Sequence, residues 1–255
     1  MKRLTLIAAF AIAQTHIAAA QKPFTPARGI AAFSIWQPKE GQESRFETGY
    51  KQHLQWHQRS GDKWDWYGWY VISGKNYGQF VDATFDHSWS DFMAPVNPAG
   101  DGADNDLHTE PFGTYLGGFK LSRIEEASIT DTAGLRTKFS RLITLKVNDL
   151  TLAEKILTRL KEKYTGNSAS AASAPNPSTP ASPAVKNFQC FRLIDGGDLN
   201  QMIILIGLAD LTQFDNTEHI PADLSEIEHA SKTNVIREIE SELLAFKSDM
   251  SLIAR

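Results

Sequence analysis

The apolar positions of the first half of the chain follow strand and helix periodicities in turn. Ala31–Trp36 predicts a strand, and residues 42–59 predict an amphipathic helix. The helix has apolar positions at i, i+4 and i+8, which are Phe46, Tyr50 and Leu54. Tyr70–Phe92 predicts a strand, a glycine-containing turn, a strand and the start of a helix, and Phe119–Glu125 predicts a last strand.

The second half repeats this order of elements. Phe139–Val147 alternates as a strand does, and Asn148 is placed to cap a helix with apolar positions at the same spacing as in the first half. These positions are Leu152, Ile156 and Leu160. Val235–Phe246 fits a strand and also fits a helix, because its apolar residues satisfy both periods; we favour the strand.

A constant offset of 122 residues relates the two halves directly. Over Tyr70–Phe92 and Arg192–Phe214 it aligns four identical residues: Ile72 with Ile194, Gly74 with Gly196, Gln79 with Gln201 and Phe92 with Phe214. Each half therefore has the ferredoxin-like order β-α-β-β-α-β. Two such units each have one apolar sheet face to bury, which predicts a pseudo-dimeric α+β barrel with its helices outside.

The domain boundaries follow from this repeat. Residues 21–130 form the first ferredoxin-like half and residues 131–255 the second. Residues 165–186 are rich in Ser, Ala and Pro and contain no aromatic residue, which predicts a disordered loop inside the second half rather than a linker between domains.

This arrangement resembles the dimeric α+β barrel superfamily in its tandem form, with antibiotic-biosynthesis monooxygenase-like, NIPSNAP-like and EthD-like relatives. The resemblance covers Gly29 to about Met250. It rests on element order, the two turn-strand-helix segments and the stretch His87–Phe92 that opens the first short helix. It implies a small apolar or aromatic ligand between sheet and helices, and chemistry ranging from cofactor-free oxygenases, isomerases and decarboxylases to distant haem enzymes.

The first 20 residues have the pattern of a secretory signal peptide. A basic start, Lys2-Arg3, precedes an apolar run from Leu4 to Ala13, and small residues stand before a cleavage point after Ala20. The run is too short to span a bilayer. We expect a secreted or periplasmic protein.

The charge of the chain limits the classes of binding partner, and its cysteine content limits the role of the thiol. Without Lys2 and Arg3 the chain has 24 basic against 30 acidic residues, which gives no electrostatic basis for nucleic-acid binding. No later segment is apolar enough to span a membrane. The single Cys190 lies in an apolar run and predicts a buried structural thiol. We expect a small-molecule ligand and a monomer, as an internal pseudo-dimer, or a weak homo-oligomer.

All six tryptophans lie between Trp36 and Trp89, among histidines and aspartates. The candidate catalytic residues are His87, His57 and Asp82, with an imidazole as general base and a carboxylate fixing its tautomer. Aromatic residues would wall the pocket and stack on a planar substrate: Trp56, Trp66, Trp69, Tyr70 and Trp89. At the offset of 122 the second half has aliphatic residues where the first has polar or aromatic ones: Ala209 for His87, Leu211 for Trp89 and Ile204 for Asp82. This asymmetry places the site in the first half.

No cofactor is predicted, although two alternatives stay open. His53 and His57 lie four residues apart on one helical face and are weak candidates to bind a metal, with Asp82, Asp86 or His87 as a third ligand. Haem through His87 or His57 is the other alternative, without an axial-ligand motif. Residues 101–110 are acidic, do not match a calcium loop and are expected to form a solvated loop near the pocket mouth.

Whether the protein is an enzyme stays open at this point. The first hypothesis is a cofactor-free oxygenase or isomerase acting on an aromatic or polyketide-like compound. The second is a non-catalytic ligand-binding or stress-related envelope protein, and a further one is a metal- or haem-dependent enzyme. A purely structural role for the tryptophans is the remaining reading.

Overall fold

The two halves of the chain form one closed barrel of eight antiparallel strands. The computed structural model describes residues 29–129, 132–165 and 187–253, so the predicted signal peptide and nearly all of the predicted Ser/Ala/Pro-rich loop lie outside it. The first half contains β1 (Ile30–Pro38), α1 (Glu43–Arg59), β2 (Tyr67–Ser73), β3 (Phe80–His87), α2 (Pro98–His108) and β4 (Gly113–Arg123). The second contains β5 (Phe139–Val147), α3 (Leu150–Thr165), β6 (Phe188–Asp195), β7 (Gln201–Leu208), α4 (Ile220–Ala230) and β8 (Ile236–Phe246).

The strand order around the barrel confirms two ferredoxin-like units. It runs β1-β3-β2-β8-β5-β7-β6-β4 and closes on β1, so the halves join edge to edge at β2–β8 and β4–β6. Because these eight strands close on themselves, none of them is left as an exposed sheet edge. Residues 236–246 form a strand, as favoured from the sequence. No helix in the described part of the chain is long and apolar enough to cross a membrane.

Three apolar clusters hold the barrel together. One fills the barrel interior and takes residues from both halves, among them Phe33, Trp69 and Leu205. The second packs α3 and α4 against the outer face of the second-half sheet and includes Cys190, whose burial raises the pKa of its thiol as expected for a structural cysteine. The third packs α1 against the first-half sheet and is the smallest.

Alternation along β2 decides which residues face the barrel interior. Tyr67, Trp69 and Val71 belong to the interior cluster, whereas Tyr70 packs on the helix side. Gly68 also faces the helix side, because a Cβ there would lie 2.3 Å from the Met250 carbonyl oxygen. The chain segment at Met250 therefore passes too close to β2 for any side chain larger than hydrogen at this position.

Three local expectations from the sequence are wrong. Residues 101–110 are not a loop but mostly belong to α2, which begins at Pro98 with the Asn97 side chain accepting a hydrogen bond from the Gly100 N–H. The segment His87–Phe92 does not open an α-helix; a 3-10 turn at Asp91–Met93 precedes α2. Asp149 rather than Asn148 caps α3, by accepting from the Leu152 N–H.

Candidate functional site

A cavity of about 290 Å³ lies between the outer face of the first-half sheet and its two helices. β1 and β3 supply its floor, α1 one wall and α2 its acidic rim. The residues that matter for its chemistry are Trp36, Tyr50, His53, His57, Asp82 and Asp101. Its size is at the small end for a ligand site and suits a compact molecule.

Asp82 is the buried carboxyl group of this floor. It lies in the middle of β3 with a side chain that is 4% exposed, and its Oδ2 accepts a hydrogen bond from the Trp36 indole N–H at 3.1 Å. Burial raises the pKa of Asp82 to about 7, even though hydrogen bonds from Trp36, Ser34 and Tyr50 oppose the shift. A carboxyl group in this state holds or releases a proton near neutral pH.

Tyr50 joins α1 to that carboxyl group. Its ring packs against Phe46 and Phe80, and its hydroxyl donates a hydrogen bond to Asp82. Burial, together with the neighbouring Asp82 charge, raises the pKa of Tyr50 well above its ordinary value. The hydroxyl therefore stays protonated and acts as a donor.

His57 is held in one tautomer by an ionised carboxylate. Its Nδ1 lies 2.8 Å from Asp62 Oδ2, which also accepts from the Trp66 indole at 2.9 Å. Burial opposes the ionisation of Asp62, but hydrogen bonds from the His57 ring and two tryptophan N–H groups lower its pKa to about 2. Because a carboxylate only accepts, Nδ1 of His57 carries a hydrogen and Nε2 is left with a lone pair in the neutral ring.

His53 repeats this arrangement one helical turn earlier. Its Nδ1 lies 2.9 Å from Asp104 Oδ2, and Asp104 Oδ1 lies 3.2 Å from Nδ1 of His108. Burial lowers the pKa of His53 in spite of the Asp104 hydrogen bond. The neutral ring is therefore favoured, again with its Nε2 free of hydrogen.

The two imidazoles and one carboxylate of α2 converge on a single point. Nε2 of His53 and Nε2 of His57 are 3.1 Å apart, and Asp101 Oδ1 lies 3.3 Å from the first and 3.4 Å from the second. The two histidine side chains are buried, and Asp101 Oδ1 is a buried atom that accepts no hydrogen bond within the described residues.

The structure brings only some of the predicted site residues together. His57, Asp82 and Trp66 line the cavity. Trp56 lies behind it, with its ring parallel to that of His53 at 6.0 Å between centroids. Trp69 is fully buried in the barrel interior and belongs to a different layer.

The remaining predicted residues lie outside the cavity. Tyr70 packs on Phe80 on the helix side. His87, at the end of β3, borders a separate cavity, where its ring packs on Trp64 at 4.1 Å and its Nε2 lies 2.5 Å from Thr84 Oγ1. Trp89 is 54% exposed beside Lys120. The residue before His87, Asp86, has a positive φ of 62° and pairs with an arginine of β4, so neither His87 nor Asp86 accompanies His53 and His57.

Sequence reasoning missed the contribution of α2. Asp101 and Asp104 both come from this helix, and Tyr115 from β4 adds a further wall. The helix lacks an apolar face, with no buried residue, so periodicity gave no indication of it. Asn97 followed by Pro98 and an acidic first turn was the available signal.

The donor set at His57 does not fit a haem iron. A porphyrin supplies four nitrogens in a plane around the iron and leaves two opposite axial positions. Here the other two donor atoms lie only 3.1 and 3.4 Å from His57 Nε2, where they would occupy the space of the macrocycle. The three atoms suit a bare ion.

Comparisons with known proteins show a similarity in fold. No family model matches the chain, and no curated protein is similar to it in sequence. Among solved structures, a candidate monooxygenase from Lactobacillus acidophilus is 12% identical with a TM-score of 0.55, covering 90% of this chain and 100% of its own. A chlorite dismutase variant from Candidatus Nitrospira defluvii is 9% identical with a TM-score of 0.55, covering 87% of this chain and 92% of its own.

An anthrone oxidase-like protein is 8% identical with a TM-score of 0.50, covering 89% of this chain and 94% of its own. These structures are dimeric α+β barrel proteins, and the chain has that fold.

Proposed function

With the α+β barrel fold as premise, we propose that the first half is an enzyme site that removes a proton from a compact aromatic molecule, with Asp82 as the base. The observation that carries this proposal is the position of Asp82: a fully buried carboxyl group with three hydrogen-bond donors, on the floor of an aromatic cavity. No lysine or arginine of the described residues lines the cavity beside it.

The step is a simple proton transfer. A C–H or O–H bond of the substrate breaks, its proton forms an O–H bond on Asp82, and the electron pair stays on the substrate as an enolate or phenolate. Return of the proton to another atom would complete an isomerisation. A pKa of about 7 suits this role, because a base whose pKa lies near the working pH is efficient and is regenerated readily.

The cavity walls support an aromatic substrate. Trp36, Trp66 and Tyr115 line the cavity with aromatic rings, which can pack against a planar ligand. One structural neighbour is described as anthrone oxidase-like, and anthrone is an aromatic ketone with an acidic C–H bond. We therefore assign aryl ketones and phenols as the substrate class.

Deuterium exchange tests the proposal without knowledge of the product. The full chain is incubated in D₂O with anthrone and smaller aryl ketones, and incorporation at carbon is followed by mass spectrometry. We expect exchange above the buffer rate, and a loss of about 10² or more in Asp82→Asn. Asp106→Asn removes a carboxylate from the same cavity and should exchange like wild type.

Two results would contradict the proposal. Exchange in Asp82→Asn equal to that in wild type would remove Asp82 as the base. Tight binding of these compounds, seen as quenching of tryptophan fluorescence, with no exchange in wild type would indicate a ligand-binding protein instead.

We further propose that the protein acts after export. The support is the basic and apolar pattern of residues 1–20. Amino-terminal sequencing of protein recovered from the producing cell should begin at Gln21; a sequence beginning at Met1 would contradict export by cleavage.

A further inference from the structure

The same cavity contains a set of converging donor atoms that proton transfer by Asp82 does not use. We infer that His53, His57 and Asp101 bind one divalent first-row transition-metal ion, zinc or iron. The ligand atoms are the two Nε2 atoms and Asp101 Oδ1. The geometry of these atoms supports the inference by itself. Only the argument from the charge of a deprotonated substrate rests on the proposed function.

The first argument is the direction of the lone pairs. Asp62 and Asp104 take the Nδ1 hydrogens of His57 and His53, so both Nε2 atoms present lone pairs in the neutral rings. Asp101 Oδ1 adds a third acceptor and receives no hydrogen bond from the described residues. Three buried acceptors that face each other repel unless a cation lies between them.

The second argument is distance. Zinc binds histidine nitrogen and carboxylate oxygen at about 2.0–2.1 Å, so neighbouring ligands of a tetrahedral ion lie about 3.3 Å apart. The three separations here are 3.1, 3.3 and 3.4 Å. Two imidazoles and one carboxylate are also the ligands of catalytic zinc and of non-haem iron, with further positions open to substrate.

The third argument is the surroundings of the two histidines. A metal-binding histidine commonly donates its other ring N–H to a carboxylate, which fixes the ring and increases its basicity. Both histidines do so here, at 2.9 and 2.8 Å. Asp62 is itself held by two tryptophan N–H groups, at 3.0 Å from the Trp64 backbone and 2.9 Å from the Trp66 indole.

The second half shows what the same place looks like without a cation. At the repeat offset of 122, Asp101 corresponds to Asp223 of α4. Asp223 accepts a hydrogen bond from the Tyr164 hydroxyl of α3 at 2.8 Å and pairs with Lys163 at 2.7 Å. Both of its oxygens meet donors, whereas Asp101 Oδ1 meets only imidazole nitrogens.

The fourth argument is the charge of the cavity. Four carboxyl groups line it, namely Asp82, Asp101, Asp106 and Glu110, and no lysine or arginine of the described chain does. If Asp82 removes a proton from a substrate, the resulting anion needs a positive partner. A metal ion at His53 and His57 would supply it in the same cavity.

Metal uptake by the full chain tests this inference without any substrate. The protein is stripped with a chelator, dialysed and titrated with Zn²⁺ by competition and with Co²⁺ by visible absorption. We expect one equivalent to bind and the Co²⁺ spectrum to show nitrogen and oxygen coordination of low symmetry. Replacing a residue that only hydrogen-bonds to a metal ligand lowers metal affinity about 10–100-fold. Asp101 is a proposed ligand itself, so we expect Asp101→Asn to weaken binding at least tenfold.

Asp106→Asn is the matched control, since it removes the same charge from the same helix and cavity but none of the three proposed ligand atoms, and it should weaken binding far less than Asp101→Asn does. Because the Asp101 side chain is 39% exposed, its replacement should leave the fold intact. Equal affinity of Asp101→Asn and wild type, or no stoichiometric uptake by wild type, would overturn the inference; the three groups would then share a proton.

The two proposals fail separately. Metal uptake with unchanged deuterium exchange in Asp82→Asn would keep the metal site and remove the proton-transfer function. Exchange that depends on Asp82 but proceeds equally in chelator-treated protein and in protein incubated with metal, together with no metal uptake, would keep the function and remove the metal site.

Discussion

The outer faces of the two half-sheets differ in polarity, most clearly at one pair of equivalent positions in the middle of a strand. Asp82 of β3 pairs with Ser34 of β1, and Ile204 of β7, 122 residues later, pairs with Ile143 of β5. The backbone register is the same, but one position contains a buried carboxyl group and the other contributes to the largest apolar cluster. In the second half this position contributes to apolar packing, whereas in the first half it contains a buried carboxyl group beside a cavity.

The helices repeat the contrast. Five of the six buried positions of α1 fall on buried positions of α3 at an offset of 107, which pairs His53 with Leu160 and His57 with Tyr164. Leu160 is fully buried, and the Tyr164 hydroxyl donates a hydrogen bond to Asp223, so these two positions of the second half serve packing and the pairing of a carboxylate. A shared fold therefore accommodates a polar site in one copy because the other copy supplies more of the apolar packing.

The difference between the two halves is tested most directly by placing a carboxyl group at the equivalent position of the second half. Ile204→Asp places a carboxyl group in an aliphatic layer without donors, and we expect the free energy of unfolding at pH 8 to fall by about 3–5 kcal/mol, the cost of an uncompensated buried charge. Urea denaturation measures it. Ile204→Val, the control for lost volume, should cost about 0.5–1.5 kcal/mol. A loss in Ile204→Asp no larger than in Ile204→Val would show that the second face tolerates charge as the first does.

The opposite exchange, from first-half to second-half residues, tests the proposed metal site. His53→Leu with His57→Tyr gives α1 the residues of α3, so that a hydroxyl replaces an imidazole opposite Asp101. At a zinc concentration 100 times its Kd, wild type should gain about 2.7 kcal/mol in free energy of unfolding, because the ion binds only the folded state. The double variant should gain nothing. Urea denaturation with and without zinc measures both, and an equal zinc effect in the two proteins would place the ion elsewhere.

Much of this contrast could be predicted from the sequence, because it depends on local pattern. The repeat offset of 122 gave the register of β3 and β7, and thereby the pairing of Asp82 with Ile204. The helical spacing of His53 and His57 placed them on one face, since four residues make about one turn. Both inferences needed only positions along the chain.

The rest could not be predicted because it depends on how elements meet. Asp101 reaches the histidines only through the packing of α2 on α1, and α2 has no apolar face to reveal it. His87 and Asp82 both lie in β3 at positions where the second half has aliphatic residues, so the sequence does not distinguish them. In the structure His87 follows Asp86, whose φ is positive, at the end of the strand, and it borders another cavity. Which face of β2 lines the barrel likewise depends on both halves together.

The last expected effect is a pH dependence of stability that arises from Asp82 in the first half and is spread over several pH units. The pKa of Asp82 is raised from 3.8 to about 7 in the folded protein, so the folded state holds a proton that the unfolded state releases between these values. The stability from this proton is fully present below about pH 4, is lost as the pH rises towards 7, and changes no further above it. The slope amounts to at most about 1.4 kcal/mol per pH unit.

Asp82→Asn should lack this decline, because an amide does not titrate. Chemical denaturation of metal-free wild type and variant at several values between pH 4 and 8 measures the difference between the two profiles, in which the contributions of groups common to both proteins largely cancel. Wild type should be favoured relative to the variant at the acidic end and lose that advantage by pH 7. Parallel profiles would mean that Asp82 is ionised across this range, which would leave the first-half sheet with a fixed charge, and the base of the proposed reaction with an ordinary pKa.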